Sequence, residues 1–132
     1  MAIATRRGSA DLSAAARAAA GHGCAVARAL AIVGAKWTLV ILHDLMDGSK
    51  RFGELQRLIP AASPKMLSER LRQLAHHGLL TRTVHPEVPP RVEYALTEAG
   101  RTVWPIVHSL DEWGRKLKAQ KPGTKSPSPS RE

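Results

Sequence analysis

The sequence predicts a mainly α-helical fold carrying one small β-hairpin, an α+β arrangement built around a single core. Three observations carry that prediction. Between Cys24 and Gly114, apolar residues recur at helical spacing in five separate segments. Two strand-like runs flank a proline-bearing loop late in the chain. The chain has 132 residues, enough for one domain's core but short for an enzyme with separate cofactor and substrate regions.

The first helix is expected over residues 25–33, with Val26, Ala29, Leu30 and Val33 on one side and Gly34 ending it. The second, residues 36–46, stacks Trp37, Val40, Ile41 and Leu45 before Asp47-Gly48 stops it. Both read as core helices. A third covers residues 51–58, with Phe52, Leu55, Leu58 and Ile59 as its apolar side and Ser49 close to its start. Pro60 closes it, and "PAAS" makes a tight connection to the next helix, so the two form a helix-turn-helix.

That next helix, residues 64–77, starts where Ser63 can cap it and Pro64 can occupy the first position without losing a hydrogen bond. Gly78 ends it. Leu67, Leu71 and Leu74 fall on one narrow stripe and must face the core. The opposite side carries Lys65, Glu69, Arg72 and His76, flanked by Met66, Ser68 and Gln73. Such side chains can hydrogen-bond base edges or phosphates, and an open helix N-terminus favours anions. The alternative is a solvated amphipathic face.

The next stretch, "LLTRTVHPEVPPRVEYALT", favours the first of these. Residues 80–85 and 91–96 read as strands around a loop stiffened by Pro86, Pro89 and Pro90. A hairpin directly after a recognition helix is a wing. Arg82 and Arg91 are placed to reach phosphate or an adjacent minor groove, with Val84, Val92 and Leu96 packing below. Thr97 then caps a last helix through Trp104, Ile106, Val107, Leu110 and Trp113, kinked at Pro105. Its surplus apolar side serves either a dimer interface or closure of the core.

Lys and Arg number 20 against 11 Asp and Glu, a formal net charge of +9 with a pI near 10.6. A surface of that sign attracts nucleic acid or an anionic membrane, unless it serves solubility alone. Residues 1–22 form an extension of small residues whose alanine-rich part, residues 11–20, is either a helical dimer arm or an unstructured leader. Residues 119–132 are expected to be a disordered basic tail, whose Pro, Ser and Gly cannot build a core. The winged domain therefore spans residues 23–118. The strongest apolar run, "WTLVIL", is too short for a secretory or membrane segment, so a cytoplasmic protein without membrane association is expected.

One cysteine, Cys24, excludes an internal disulfide and a Cys-rich zinc module. It is a buried thiol, a reactive thiol or half of an intermolecular bridge. It precedes the first helix, whose dipole favours an anionic sulfur. Adjacent histidines such as His76 and His77 diverge on a helix, and no ligand spacing for a metal appears. With no nucleophile elbow, P-loop or dinucleotide fingerprint either, no cofactor and no enzymatic activity are expected.

The run "GAKWTLVILHDLMDGSKRFGELQRLIPAASPKMLSERLRQLAHHGLL" followed by "PEVPPRVEYALTEAGR" resembles the HxlR-type winged helix-turn-helix transcriptional regulators of bacteria, relatives of the MarR group. Lys36-Trp37, "RFGEL", "SPKMLSERL" and "VPPRVEY" stand in that family's order over residues 24–114. The resemblance implies a homodimer through the terminal helices, bound to a pseudo-palindromic operator in double-stranded DNA. Helix 64–77 would enter the major groove and hairpin 80–96 would act as the wing. On that basis Lys65, Met66, Ser68, Glu69, Arg72 and Gln73 contact bases or phosphates, and Lys36, Lys50, Arg51 and Arg91 the DNA backbone. A repressor is the simplest regulator of this kind, with a small molecule or oxidant as effector. Some relatives sense oxidants or electrophiles at a cysteine in the region of Cys24, against which stands a structural thiol. The chain has Cys24-Ala25 where the family often has Cys-Pro, and Gly34-Ala35 where it has a Gly pair. A winged-helix module that binds protein rather than specific DNA is the competing function.

Overall fold

The structure is a computed structural model and describes residues 24–117. The extension at residues 1–22 and the tail at residues 119–132 lie outside the described residues. In chain order the elements are α1 (Ala25–Val33), α2 (Thr38–Asp44), β1 (Lys50–Arg51), α3 (Phe52–Leu58), α4 (Pro64–His76), β2 (Leu80–His85), β3 (Arg91–Leu96), α5 (Glu98–Arg101) and α6 (Trp104–Lys116).

The core forms where the apolar stripes of α2, α3 and α4 meet. Ile41, Leu42, Leu45, Leu55, Leu67, Leu71 and Leu74 are fully enclosed there. Leu80, Leu96, Val103 and Val107 extend the cluster under the hairpin and along α6. Three antiparallel strands in the order β1-β3-β2 make the sheet. Along β2 and β3 the register runs from Leu80 opposite Leu96 to His85 opposite Arg91, while Lys50 and Arg51 pair with Tyr94 and Glu93.

Thr97 fastens the hairpin to the end of α4. Its hydroxyl donates to the Gly78 carbonyl at 2.7 Å and accepts from the Gly100 amide at 3.0 Å, while its own amide donates to the Leu79 carbonyl at 3.1 Å. Gly78, at φ +77°, supplies the left-handed turn between α4 and β2.

Five expectations need correction. The second helix starts at Thr38 rather than residue 36, because Trp37 has φ +75° and its backbone is not helical. Strand β1 was not expected, since two residues cannot show an alternating pattern. The last helix is two helices, α5 and α6, separated at Thr102 and Val103, so Pro105 sits in the first turn of α6 instead of kinking a continuous helix. Helix α1 buries none of its residues, and Val26 and Leu30 are 63% and 52% exposed, so among the described residues it is not a core helix. Val84, expected beneath the wing, is exposed, as is Val40 on α2. Among the described residues, no single helix is long and apolar enough to cross a membrane.

Candidate nucleic-acid interface

Helix α4 begins as its sequence requires. Ser63 has an extended backbone, its Oγ accepts from the Met66 amide at 3.1 Å, and Pro64 occupies the first turn. Because Leu67, Leu71 and Leu74 are buried, the opposite side of the helix faces outward. Lys65, Ser68, Arg72 and Gln73 are exposed, whereas Met66, Glu69 and His76 are half-buried at the margins. The six α4 residues expected at DNA therefore lie on or beside one surface.

That surface is internally organised. Glu69 accepts from Arg72 through Oε1 and from Gln73 Nε2 through Oε2, the latter at 3.3 Å. Gln73 Oε1 accepts in turn from Arg70 Nη1 at 3.1 Å. Arg70 Nε donates to the Lys36 carbonyl at 2.8 Å, joining α4 to the segment that separates α1 from α2. Sequence reasoning missed Arg70. The signal was a fifth long polar side chain beside the leucine stripe, but its partner is 34 positions away and helical periodicity is silent on such contacts.

The cations expected at the DNA backbone are more dispersed. Lys36 holds its ammonium 5.2 Å from the centre of the Trp37 ring, within cation-π range. Lys50 Nζ lies 2.5 Å from Asp47 Oδ1, and this hydrogen bond, with the ammonium's charge, holds the Asp47 carboxyl below its ordinary value of 3.8. Arg51 is exposed, its amide bound to Glu54 Oε1 at 2.8 Å where α3 starts. Arg91 is not a free wing cation. Its guanidinium meets Glu87 at 2.9 Å and Glu93 at 3.3 Å, and Glu93 also meets His85 Nε2 at 3.1 Å. Of the two arginines on the hairpin strands β2 and β3, Arg82 is the exposed one.

Cys24 is the half-buried N-cap residue of α1 and makes no side-chain capping bond. Among the described residues, no group of three His, Cys, Asp or Glu is close enough to hold a metal ion.

A helix-turn-helix whose second helix carries an outward polar face, followed at once by a hairpin, defines a winged helix-turn-helix transcriptional regulator of the DNA-binding class, not an enzyme. The HxlR-like helix-turn-helix family model matches residues 32–122, and the chain belongs to that family. It is 45% identical over 97 residues to the HTH-type transcriptional regulator YdeP of Bacillus subtilis, covering 74% of this chain and 76% of YdeP. An HTH-type transcriptional regulator of Methanothermobacter thermautotrophicus is 49% identical over 92 residues, 70% of each chain. Among solved structures, the redox regulator HypR in its oxidised form superposes with a TM-score of 0.68 at 43% identity, covering 70% of this chain and 96% of that one. Its reduced form gives 0.68 at 41%, covering 72% and 94%.

Proposed function

We propose that the protein is a cytoplasmic repressor that binds a pseudo-palindromic operator as a homodimer, one winged domain of residues 23–118 on each half-site. Helix α4 enters the major groove, where Lys65, Met66, Ser68, Glu69, Arg72 and Gln73 meet base edges and phosphates. Lys36, Lys50 and Arg51 meet the DNA backbone, and the β2–β3 hairpin serves as the wing. Arg91, held by two carboxylates, contributes to the wing's shape more than to its charge. The observation that carries this reading is the division of α4 into a buried leucine stripe and an outward face of hydrogen-bonding side chains.

The dimer rests on apolar surface that is exposed among the described residues. Val26 and Leu30 on α1, with Trp104, Ile106, Leu110 and Trp113 on α6, are all more than two-fifths exposed. A groove of about 430 Å³ between α2 and α6, lined by Leu39, Val40, Val107 and Leu110, adjoins them. A second copy covers this surface through its own α1 and α6.

The signal is an oxidant or electrophile read at Cys24. With one cysteine per chain, a disulfide must join two molecules, and a bond formed at the start of α1 would shift the helices that hold the half-sites at their spacing. The likeness to HypR supports this reading. Binding to genomic fragments, including the region upstream of the chain's own coding sequence, at two salt concentrations and with or without a thiol oxidant, tests it. Selective retention at the higher salt, lost on oxidation but not in Cys24→Ser, is expected. Binding that vanishes with salt and shows no preference would overturn operator recognition and favour a protein-interaction module.

A further inference from the structure

We propose that Arg70, which does not itself reach DNA, is a positioning residue that sets the base preference of Gln73. The inference rests on the reading of α4 as the DNA-reading helix. A glutamine amide presents a donor and an acceptor that exchange places when it turns by half a rotation, so it reads a base edge only if something fixes its orientation. Here both ends are fixed. The Gln73 carbonyl accepts from Arg70 Nη1 at 3.1 Å, and its Nε2 donates to Glu69 at 3.3 Å. Each contact uses half of that atom's capacity. One carbonyl lone pair and one N–H remain, the combination that the major-groove edge of adenine accepts.

Arg70 can hold Gln73 because it is itself anchored. Its Nε donates at 2.8 Å to the carbonyl of Lys36, the residue before Trp37 with its φ of +75°. Gly34 ahead of them cannot be replaced by a larger residue in place, since a Cβ would stand 2.4 Å from the Leu30 carbonyl oxygen. The guanidinium thus spans a backbone acceptor and the Gln73 amide. Lysine has no such fork, so charge alone cannot replace it.

The test selects duplexes from a randomised library with the full-length protein, then repeats the selection with Gln73→Ala, Arg70→Met and Arg70→Lys, after thermal scans establish that each folds. Gln73→Ala should lose adenine preference at one position per half-site. Both Arg70 variants should lose it at that same position by about tenfold, while affinity for an unselected duplex stays within about twofold. Arg70 variants that keep the wild-type preference, or that weaken all duplexes alike, overturn the proposal. If Gln73→Ala changes no position while Lys65→Ala and Arg72→Ala do, the Gln73 assignment fails but α4 still reads DNA. If none of the three changes any position, the reading of α4 fails with it.

Discussion

Replacing Gly100 by alanine should destabilise the protein far more than the addition of one methyl group implies. Gly100 is buried in α5, and a Cβ there would stand 2.0 Å from the Leu79 carbonyl oxygen and 3.3 Å from Leu96 Cδ2. Carbon and oxygen in contact stand about 3.3 Å apart, so α5 and the Gly78-Leu79 turn must separate by roughly 1 Å. That movement pulls on the Thr97 bonds to Gly78 and Leu79, which hold the end of the wing to the end of α4. Overpacking costs about 1–3 kcal/mol, and a weakened hydrogen bond adds about 1 kcal/mol. We therefore expect a loss of about 3 kcal/mol, or roughly 15 °C in Tm for a unit of this size. Gly53→Ala is the control. Its Cβ would meet only Arg57 Nη1 at 4.0 Å inside α3, so the same chemical change should stabilise by about 0.5 kcal/mol. Urea unfolding followed by circular dichroism decides, at one protein concentration because the proposed dimer would raise apparent stability. A Gly100→Ala midpoint within about 1 kcal/mol of wild type would refute the close approach of α5 to the Leu79 carbonyl.

Ser63→Ala removes the acceptor for the Met66 amide and should cost about 1 kcal/mol in the same assay, whereas Ser68→Ala on the exposed face should be nearly silent. Asp47 has its carboxyl value lowered by Lys50, so its contribution is present above the unfolded value and is lost as pH falls through the lower folded one. Lys50→Met should raise the Asp47 titration midpoint seen by NMR, and an unmoved midpoint would exclude Lys50 as the cause. Arg91→Ala should speed amide exchange in β2 and β3 with little change in the salt dependence of DNA binding, because the guanidinium is engaged with Glu87 and Glu93. A salt slope reduced by about one would instead make Arg91 a phosphate contact.

Much of this fold is legible in local pattern. Ser63-Pro64 and Gly78 bracket α4, and Leu67, Leu71 and Leu74 name its buried stripe, because caps and helical periodicity depend on neighbours a few positions apart. The proline-bearing loop likewise marks the hairpin. What escapes is settled between distant residues. β1 exists only because Lys50 and Arg51 meet Tyr94 and Glu93. α1 carries core-like residues that the described residues do not bury, since a sequence pattern specifies an apolar face without specifying what meets it. Arg91 reads as a free cation until the hairpin brings Glu93 and Glu87 around it. The site is legible in the same proportion: periodicity groups Lys65, Ser68, Arg72 and Gln73 on one side, but not the bonds that orient them.

Those bonds separate affinity from selectivity. Helix α4 carries Lys65, Arg70 and Arg72 against Glu69, a formal +2 within the chain's +9, so most of the attraction for a polyanion originates outside it. Arg72 is paired with Glu69 and Arg70 with Gln73 and the Lys36 carbonyl. Lys65, exposed in the first turn, is the α4 cation for which no such bond is seen among the described contacts. Counterion release then assigns different signatures to two neighbours on one helix. Lys65→Ala should weaken every duplex and lower the salt slope by about one. Gln73→Ala, which removes no charge, should leave the slope unchanged and alter the preferred sequence. Equal slopes for Lys65→Ala and wild type would mean that Lys65 releases no counterion, and that the electrostatic contact with DNA is made by other cations of the chain.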